Sequence, residues 1–573
     1  MPKIEVQDQT LFRYAGKHFT SEELVEVLTC AKAELDEPAG DDGMMKIELN
    51  DTNRPDLWST AGLGRQLRTY IGGARPVYDF FSTPAAMQPH GKRRVEVDPE
   101  LREIRPYIAA FAADGPTISE VILEDVIQTQ EKLCWNYGGK RSSIAMGIYR
   151  SDLIEYPVRY AAVEPEGLRF QPLGMEEQLT PFEILREHPK GQEFGSIVQD
   201  FPKYPMLLDA HGRVLSFPPI INSADLGAVE VGDERLFVEM TGTDLPSLLV
   251  ACAIAACDLA DAGFEIRPVR IEYPYETPLG REVVTPMYFQ EEVAVDPADA
   301  ARILGPGLSQ QDMLDSLERM GIAAAPAGAG VRVTPPQYRN DFLHPVDVIE
   351  EVMIGYGMGR FAPHPPTDFT VGRLSPAEEF ARRIKSNMVG LGYQEMIFNY
   401  LGSYRDFIER MYPSEEREAR AAELVKIANP MSESYAYLRG SPLPHLLGAE
   451  SVSAHAVYPH RIFEVGKVAR TDAGDNYGSA TLDTLGVLVA DATADFNRLN
   501  QDLAALLYFL HLEYALRDSG DPRFIPGRAA EIRHHDRMIG VFGEVHPQVL
   551  ENWGITVPCA AAELCFTPLL EKR

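Results

Sequence analysis

Residues 363–376 read PHPPTDFTVGRLSP, and no regular element can run through such a stretch. Proline has no amide proton to give a helix or a sheet, and it biases the residue before it away from helix. With glycine added, the segment is the clearest linker in a chain of 573 residues, a length that calls for several domains.

On both sides of that linker, caps and periodicity mark the elements. Thr20 with Glu23 three residues on forms a capping box, predicting a helix over TSEELVEVLTCAKAEL. Ser119 caps SEVILEDVIQTQEKLCW, which follows the strand-like RPYIAAFAADG. Asp244 opens DLPSLLVACAIAACDLADAG, with Pro246 in its first turn and Gly263 to stop it. PADAARIL and SQQDMLDSLERMG read as short helices, the second capped by Ser309, and IAAAPAGAGVRVTPP as two strands around a turn. After the linker, Ser375, Pro376 and Glu378 start another helix, followed by strands such as RIFEVGKVAR and TLGVLVA. The expected class is α+β and multidomain: an N-terminal α/β module over 1–85, a long α/β region over 90–278, a winged-helix-like unit over 283–363, and a last unit over 370–573.

The formal charge of −31 repels nucleic-acid phosphates on average, so any contact with them has to be local or belong to a partner. The six cysteines show no CxxC pair and no zinc spacing, which fits a reducing, cytoplasmic setting. MPKIEVQDQTLFRYAG is not a signal peptide, and the longest apolar run, LLVACAIAAC, is too short for a bilayer. A soluble protein is expected.

RNDFLHPVDVIEEV, residues 339–352, concentrates Asp341, Asp347, Glu350 and Glu351. A helix starting at Pro345 places Val346, Ile349, Val352, Met353 and Tyr356 on one buried face, and Asp347, Glu350 and Glu351 on the other. His344 reads as a turn residue. The acids suit either a helix start, where they complement the macrodipole, or a hard cation held by oxygen ligands.

Six stretches, in order, carry a resemblance: IELNDTNRPDLWSTAGLGRQLR, SFPPIINSADLG, VEMTGTD, YRNDFLHPVDVIEEVMIGYG, NPMSESYAYLRGSPLPHLL and IFEVGKV. Together they resemble the beta subunits of phenylalanine–tRNA ligase, in the archaeal/eukaryotic form of that class II synthetase family. The resemblance implies a B3/4-like editing domain over 90–278, a B5 domain over 283–363 and a degenerate class II antiparallel-sheet domain over 370–573. It further implies an α₂β₂ tetramer in which the alpha subunit uses ATP and phenylalanine to charge tRNA(Phe), with no role for DNA or a membrane. NPMSESYAYLR through FEVGKV is similar to a decayed class II motif. No GxGxxR follows it, and GLGRQLR at 62–68 comes too early and in too helical a setting to serve.

On that resemblance, Asp341, Asp347, Glu350 and Glu351 would hold Mg²⁺. The residues Leu207, Ser216, Asn222, Glu239 and Thr241 are similar to editing positions. An editing site has to read the one hydroxyl that separates tyrosine from phenylalanine, since an apolar pocket rejects an added hydroxyl only weakly. Glu239 is the expected reader, with Asn222, Ser216 and Thr241 orienting the ester and a water. The residues alone leave a plainer account open, in which Pro218-Pro219 is a turn and Glu239 an exposed strand residue. Asn53, Arg54 and Asp56 read as structural, and Lys140 and Arg141 as solvent-exposed charges at a turn. Two other readings stand beside the synthetase: an acidic binding module built on the winged helix, and a Mg²⁺-dependent hydrolase centred on Asp341. In the first, Asp312, Asp315 and Glu318 outweigh Arg319 on the helix that would meet DNA.

Overall fold

The computed structural model describes residues 2–305, 307–363 and 365–570. The chain divides into two compact units, residues 1–364 and 365–573, so the break falls inside the proline-rich segment. His364 of that segment and the last three residues of the C-terminal unit lie outside the described residues.

Among the described residues the first unit holds three sheets. The smallest elements follow their caps. Thr20 accepts from Glu23 N while Glu23 accepts from Thr20 N, and helix Ser21–Leu28 follows. That helix is shorter than its sequence suggests. After a turn of 3₁₀ helix over Thr29–Ala31, Lys32 takes a left-handed φ of 50° and strand Ala33–Glu37 replaces the expected last turns. Met44–Leu49 is the centre strand between Lys3–Gln7 and Ala33–Glu37.

Among the described residues the largest sheet has ten strands: nine run from Ile221–Asn222 through Val214–Phe217, Tyr204–Leu208, Val158–Val163, Arg94–Val97, Glu265–Glu272, Tyr107–Asp114 and Arg235–Gly242 to Ile144–Arg150, and Glu282–Thr285 pairs with Glu265–Glu272 off that path. Helix Leu245–Asp261 packs on it and is buried nearly all round, as a helix without a polar face must be. The helix carrying GLGRQLR, Thr60–Tyr70, is tied to it: buried Arg65 donates to Asp258 and Asp261 at 2.8 Å each. That arginine is committed to packing.

The helix–helix–hairpin order over 283–363 is present as Pro297–Leu304, Gln310–Arg319, Ala323–Ala327 and Gly330–Thr334, with Val293–Val295 completing a three-stranded sheet. Its core is continuous with that of residues 4–67: Leu11, Leu28, Ile47 and Leu63 belong to one cluster with Leu317, Val331, Val348 and Val352. Two modules far apart in sequence share one interior.

In the second unit a seven-stranded sheet runs Gln394–Glu395, His460–Thr471, Ser479–Ala490, Cys559–Cys565, Arg537–Val545, Phe524–His534, Ala515–Asp518. Every pairing is antiparallel except the first. Helices Pro376–Gly390 and Phe496–Phe509 contribute to a core cluster that lines part of this sheet, and Leu443–Ser451 and Pro547–Trp553 to another. Among the described residues no helix is long and apolar enough to cross a membrane.

Candidate functional site

Strand Arg235–Gly242 lies between Tyr107–Asp114 and Ile144–Arg150, which buries Glu239 to 2% exposure. The exposed placement left open by the sequence is thereby corrected. Opposite Glu239 stands Gly147, and a Cβ there would come within 2.5 Å of Glu239 Oε1 and 2.0 Å of Tyr149 Oη. The missing side chain lets the Tyr149 ring fold back so that Oη reaches Glu239 Oε1 at 2.8 Å. The same Oη is 2.8 Å from Ser216 Oγ, on strand Val214–Phe217 near the other end of the sheet order. The sheet therefore curls until its ends meet, and the seam is a Ser216–Tyr149–Glu239 chain. A phenol has one proton, so with Glu239 ionised Tyr149 donates to the carboxylate and accepts from the serine.

Next to the seam is a cavity of about 180 Å³, lined by Ser216, Asn222, Glu239, Gln130, Arg141 and the Phe217–Ile221 turn among others. Asn222 pairs with Ser216 across the hairpin and steadies its amide by donating to Gly227 O at 3.2 Å. Glu239 Oε2 has no hydrogen-bond partner among the described residues. Burial raises the Glu239 carboxyl to about 7, against the lowering effects of Tyr149's hydrogen bond and the Arg105 charge. A carboxyl so placed changes charge near neutrality.

Three of the five expected site residues, Ser216, Asn222 and Glu239, therefore converge on one cavity. Leu207 stands opposite Ser216 on the neighbouring strand but is wholly buried in the core. Thr241 is corrected as a group orienting ester or water: its Oγ1 accepts from Arg105 Nε at 2.9 Å, deep in the sheet. Its hydroxyl supports the arginine instead.

The sequence reading missed Tyr149 and Arg105 altogether and placed Arg141 in solvent. Arg141 is half-buried, donates from Nη1 to Pro219 O at 3.1 Å and Ile220 O at 2.9 Å, and stacks 4.4 Å over the Phe194 ring. It braces the Pro218-Pro219 turn that forms one cavity wall.

The four acids of RNDFLHPVDVIEEV do not come together. Helix Pro345–Tyr356 forms with His344 as N-cap, and Asp347 Oδ2 accepts from Leu343 N and His344 N at 2.8 and 2.6 Å, so Asp347 is a capping residue. Glu350 pairs with Lys32 at 2.8 Å. Glu351, expected on the open face, is 4% exposed, while Val346, expected on the buried face, is exposed. The rotation follows from Arg339, fully buried, which donates to both oxygens of Asp341 and, at 2.6 Å, to Glu351 Oε1. Arg54, bidentate to Asp56 at 2.8 Å, adds a second guanidinium 3.8 Å from Glu351. Burial would raise Asp341, but Arg339 outweighs it and holds the carboxyl below its usual range. Among the described residues no three His, Cys, Asp or Glu side chains stand together as metal ligands would. As placed, these residues do not fit a magnesium ion.

Arg319, although exposed, donates to Tyr70 O at 2.9 Å and Gly355 O at 3.1 Å at the end of helix Gln310–Arg319. In the second unit, Glu464 of IFEVGKV is buried with Arg439, whose Nη1 donates to it.

Comparison with known proteins places the chain. The profile of the phenylalanyl tRNA synthetase beta chain CLM domain matches residues 363–566, and that of the tRNA synthetase B5 domain matches 293–358. Phenylalanine–tRNA ligase beta subunits of Borrelia hermsii and Borreliella burgdorferi are 47% and 45% identical over the full length of both chains. The chain belongs to the phenylalanine–tRNA ligase beta-subunit family. An N-terminal fragment of the Pyrococcus horikoshii phenylalanyl-tRNA synthetase beta subunit superposes with a TM-score of 0.58 at 34% identity, covering 62% of this chain and all of the fragment. In this member of the family the three-residue convergence at Glu239 lies in the first unit, and the B5 match covers the helix–helix–hairpin module.

Proposed function

We propose that this beta subunit hydrolyses tyrosyl-tRNA(Phe) in the cavity walled by Glu239, while an alpha subunit, joined to it in an α₂β₂ tetramer, charges tRNA(Phe) with phenylalanine and ATP. One observation carries the hydrolytic reading: Glu239 is buried beside the cavity with Oε1 held by Tyr149 and Oε2 unpartnered. A tyrosyl hydroxyl donates to that free oxygen. A phenylalanyl ring has nothing to give and would leave a buried carboxylate oxygen unsatisfied, a mismatch worth up to roughly 10⁴-fold in discrimination.

With the ring fixed at Glu239, the ester lies towards Ser216 and Asn222: the Asn222 amide donates to the carbonyl, and Ser216 Oγ, its proton given to Tyr149, accepts from the water. The water oxygen bonds to the ester carbon, the bond from that carbon to the ribose oxygen breaks, and the water's proton ends on the ribose. The neighbouring hydroxyl of the terminal ribose can assist, so no protein base is required. Mischarged tRNA becomes free tyrosine and intact tRNA.

The second unit's expected class II-like sheet supports a scaffolding role. Its strand His460–Thr471 spends Glu464 on buried Arg439, which leaves that pair no free charge for a nucleotide. ATP chemistry then belongs to the alpha subunit, in a cytoplasmic enzyme.

The test is deacylation of tyrosyl- and phenylalanyl-tRNA(Phe) by the full chain and by Glu239→Ala. Loss of tyrosyl-tRNA hydrolysis in the variant supports the reading. Unchanged hydrolysis sinks it.

A further inference from the structure

We infer that a second cavity, adjoining the Glu239 cavity, seats the single-stranded 3′ end of the RNA whose terminal ester is hydrolysed next door; the inference rests on the editing reading. This cavity, about 280 Å³, shares Gln130 and Arg141 with the first. Its charged lining is Lys132, Arg141 and Lys190 against Glu131, in a chain whose net charge is −31. A local cationic patch on so acidic a protein is where phosphates can approach.

The aromatic lining matches a base as the cations match phosphates. Trp135 is 46% exposed, edge-on to Phe194 at 6.3 Å, and the Lys140 ammonium stands 5.3 Å from its ring. Lys190 lies 5.4 Å from Phe194 and rests on Glu193 at 2.9 Å. An exposed indole flanked by cations is the arrangement that stacks unpaired bases while holding the backbone, and it needs no sequence-specific contact.

The backbone is strained to build it. Gly139, Lys140 and Arg141 take φ of +56°, +56° and +69°, a left-handed run that residues with a Cβ rarely adopt. The run is pinned by Lys140 N to Trp135 O and Arg141 N to Cys134 O, both 2.9 Å, and by Arg105 donating to Ser142 O at 2.9 Å. At Gly138 a Cβ would meet Ile144 O at 2.4 Å, so the turn closes only around glycine. Strain of this kind persists where the surroundings over-determine it, and here it aims Lys140 at Trp135 and Arg141 between the two cavities.

The experiment uses the full chain, tyrosyl-tRNA(Phe), and a hairpin RNA with the acceptor-stem sequence and either a single-stranded or a blunt 3′ end. Trp135→Ala is expected to raise KM for deacylation about tenfold with kcat little changed, and Trp135→Phe to restore most of it. Lys140→Ala with Lys190→Ala is expected to flatten the salt dependence of KM. The overhanging hairpin is expected to quench tryptophan fluorescence in the parent chain and not in Trp135→Ala, the blunt one in neither. If the parent deacylates and these variants leave KM and its salt slope unchanged, the seat is elsewhere. Equal quenching by both hairpins also overturns it. If the parent does not deacylate, the editing reading falls, and quenching specific to the overhang still decides whether RNA lies on Trp135.

Discussion

Tyr149 Oη is 2.8 Å from Glu239 Oε1, and this contact fixes which oxygen of the carboxylate is satisfied and which is free. Tyr149→Phe should therefore act on the Glu239 proton as well as on its position. The hydrogen bond favours the ionised carboxylate, so losing it moves the midpoint of the pH–deacylation profile upward from about 7. Activity on tyrosyl-tRNA should fall roughly 10- to 100-fold, the worth of one hydrogen bond to a charged group. An unmoved midpoint with full activity would show that Tyr149 only packs.

Glu239 also makes stability depend on pH. Its folded pKa, about 7, lies above the ordinary 4.5, so between those values the folded chain holds the extra proton and stability falls as pH rises. Above both values the cost is about 3 kcal/mol. Glu239→Gln keeps the acceptor for Tyr149 and cannot ionise. In urea unfolding it should match the parent near the lower value and exceed it by up to about 3 kcal/mol near pH 8. A pH-independent difference would mean that burial does not perturb this carboxyl.

How far this site was legible in sequence can be read from its residues. Caps such as Thr20, Ser119 and Asp244 announce helices because the signal is local, three residues from donor to acceptor. Ser216, Asn222 and Glu239 came through the resemblance. Tyr149 could not be found, since its partners Ser216 and Glu239 are 67 and 90 positions away and meet only because the sheet curls. Arg141 reads as an exposed turn charge until the Pro218-Pro219 turn arrives to accept from it. Glu351 reads as an outer-face acid until Arg339 draws it inward, and Lys32 ends a helix through a backbone angle no pattern signals.

Arg339 leads to a test of the acidic cluster. Removing one partner of a buried ion pair strands the others, so Arg339→Met should cost about 3–5 kcal/mol of stability. Asp341 is depressed, so it contributes stability that is present above the unfolded value of 3.8 and lost as pH falls through the folded one. That acid-side loss should shrink in the variant. In the parent, magnesium chloride should shift the unfolding midpoint no more than sodium chloride of equal ionic strength. A specific magnesium shift would show that Asp341 and Glu351 leave their arginines to ligate it.

Arg105 separates charge from anchoring. It is fully buried, donates to Thr241 Oγ1 and O at 2.9 and 2.6 Å and to Ser142 O and Arg141 O at 2.9 and 3.2 Å, and has no carboxylate within ion-pair distance among the described residues. Its positive charge is one of the two influences that lower Glu239. Arg105→Met removes both roles: the deacylation midpoint should rise further above about 7, and stability should fall by about 3 kcal/mol as several buried acceptors lose their donors. Arg105→Lys keeps the charge but cannot span Thr241 and the Arg141–Ser142 backbone together. It should leave the midpoint near that of the parent while loosening the strained turn, seen as faster amide exchange over residues 139–143. If both variants moved the midpoint alike, the anchor rather than the charge would be what sets the proton on Glu239.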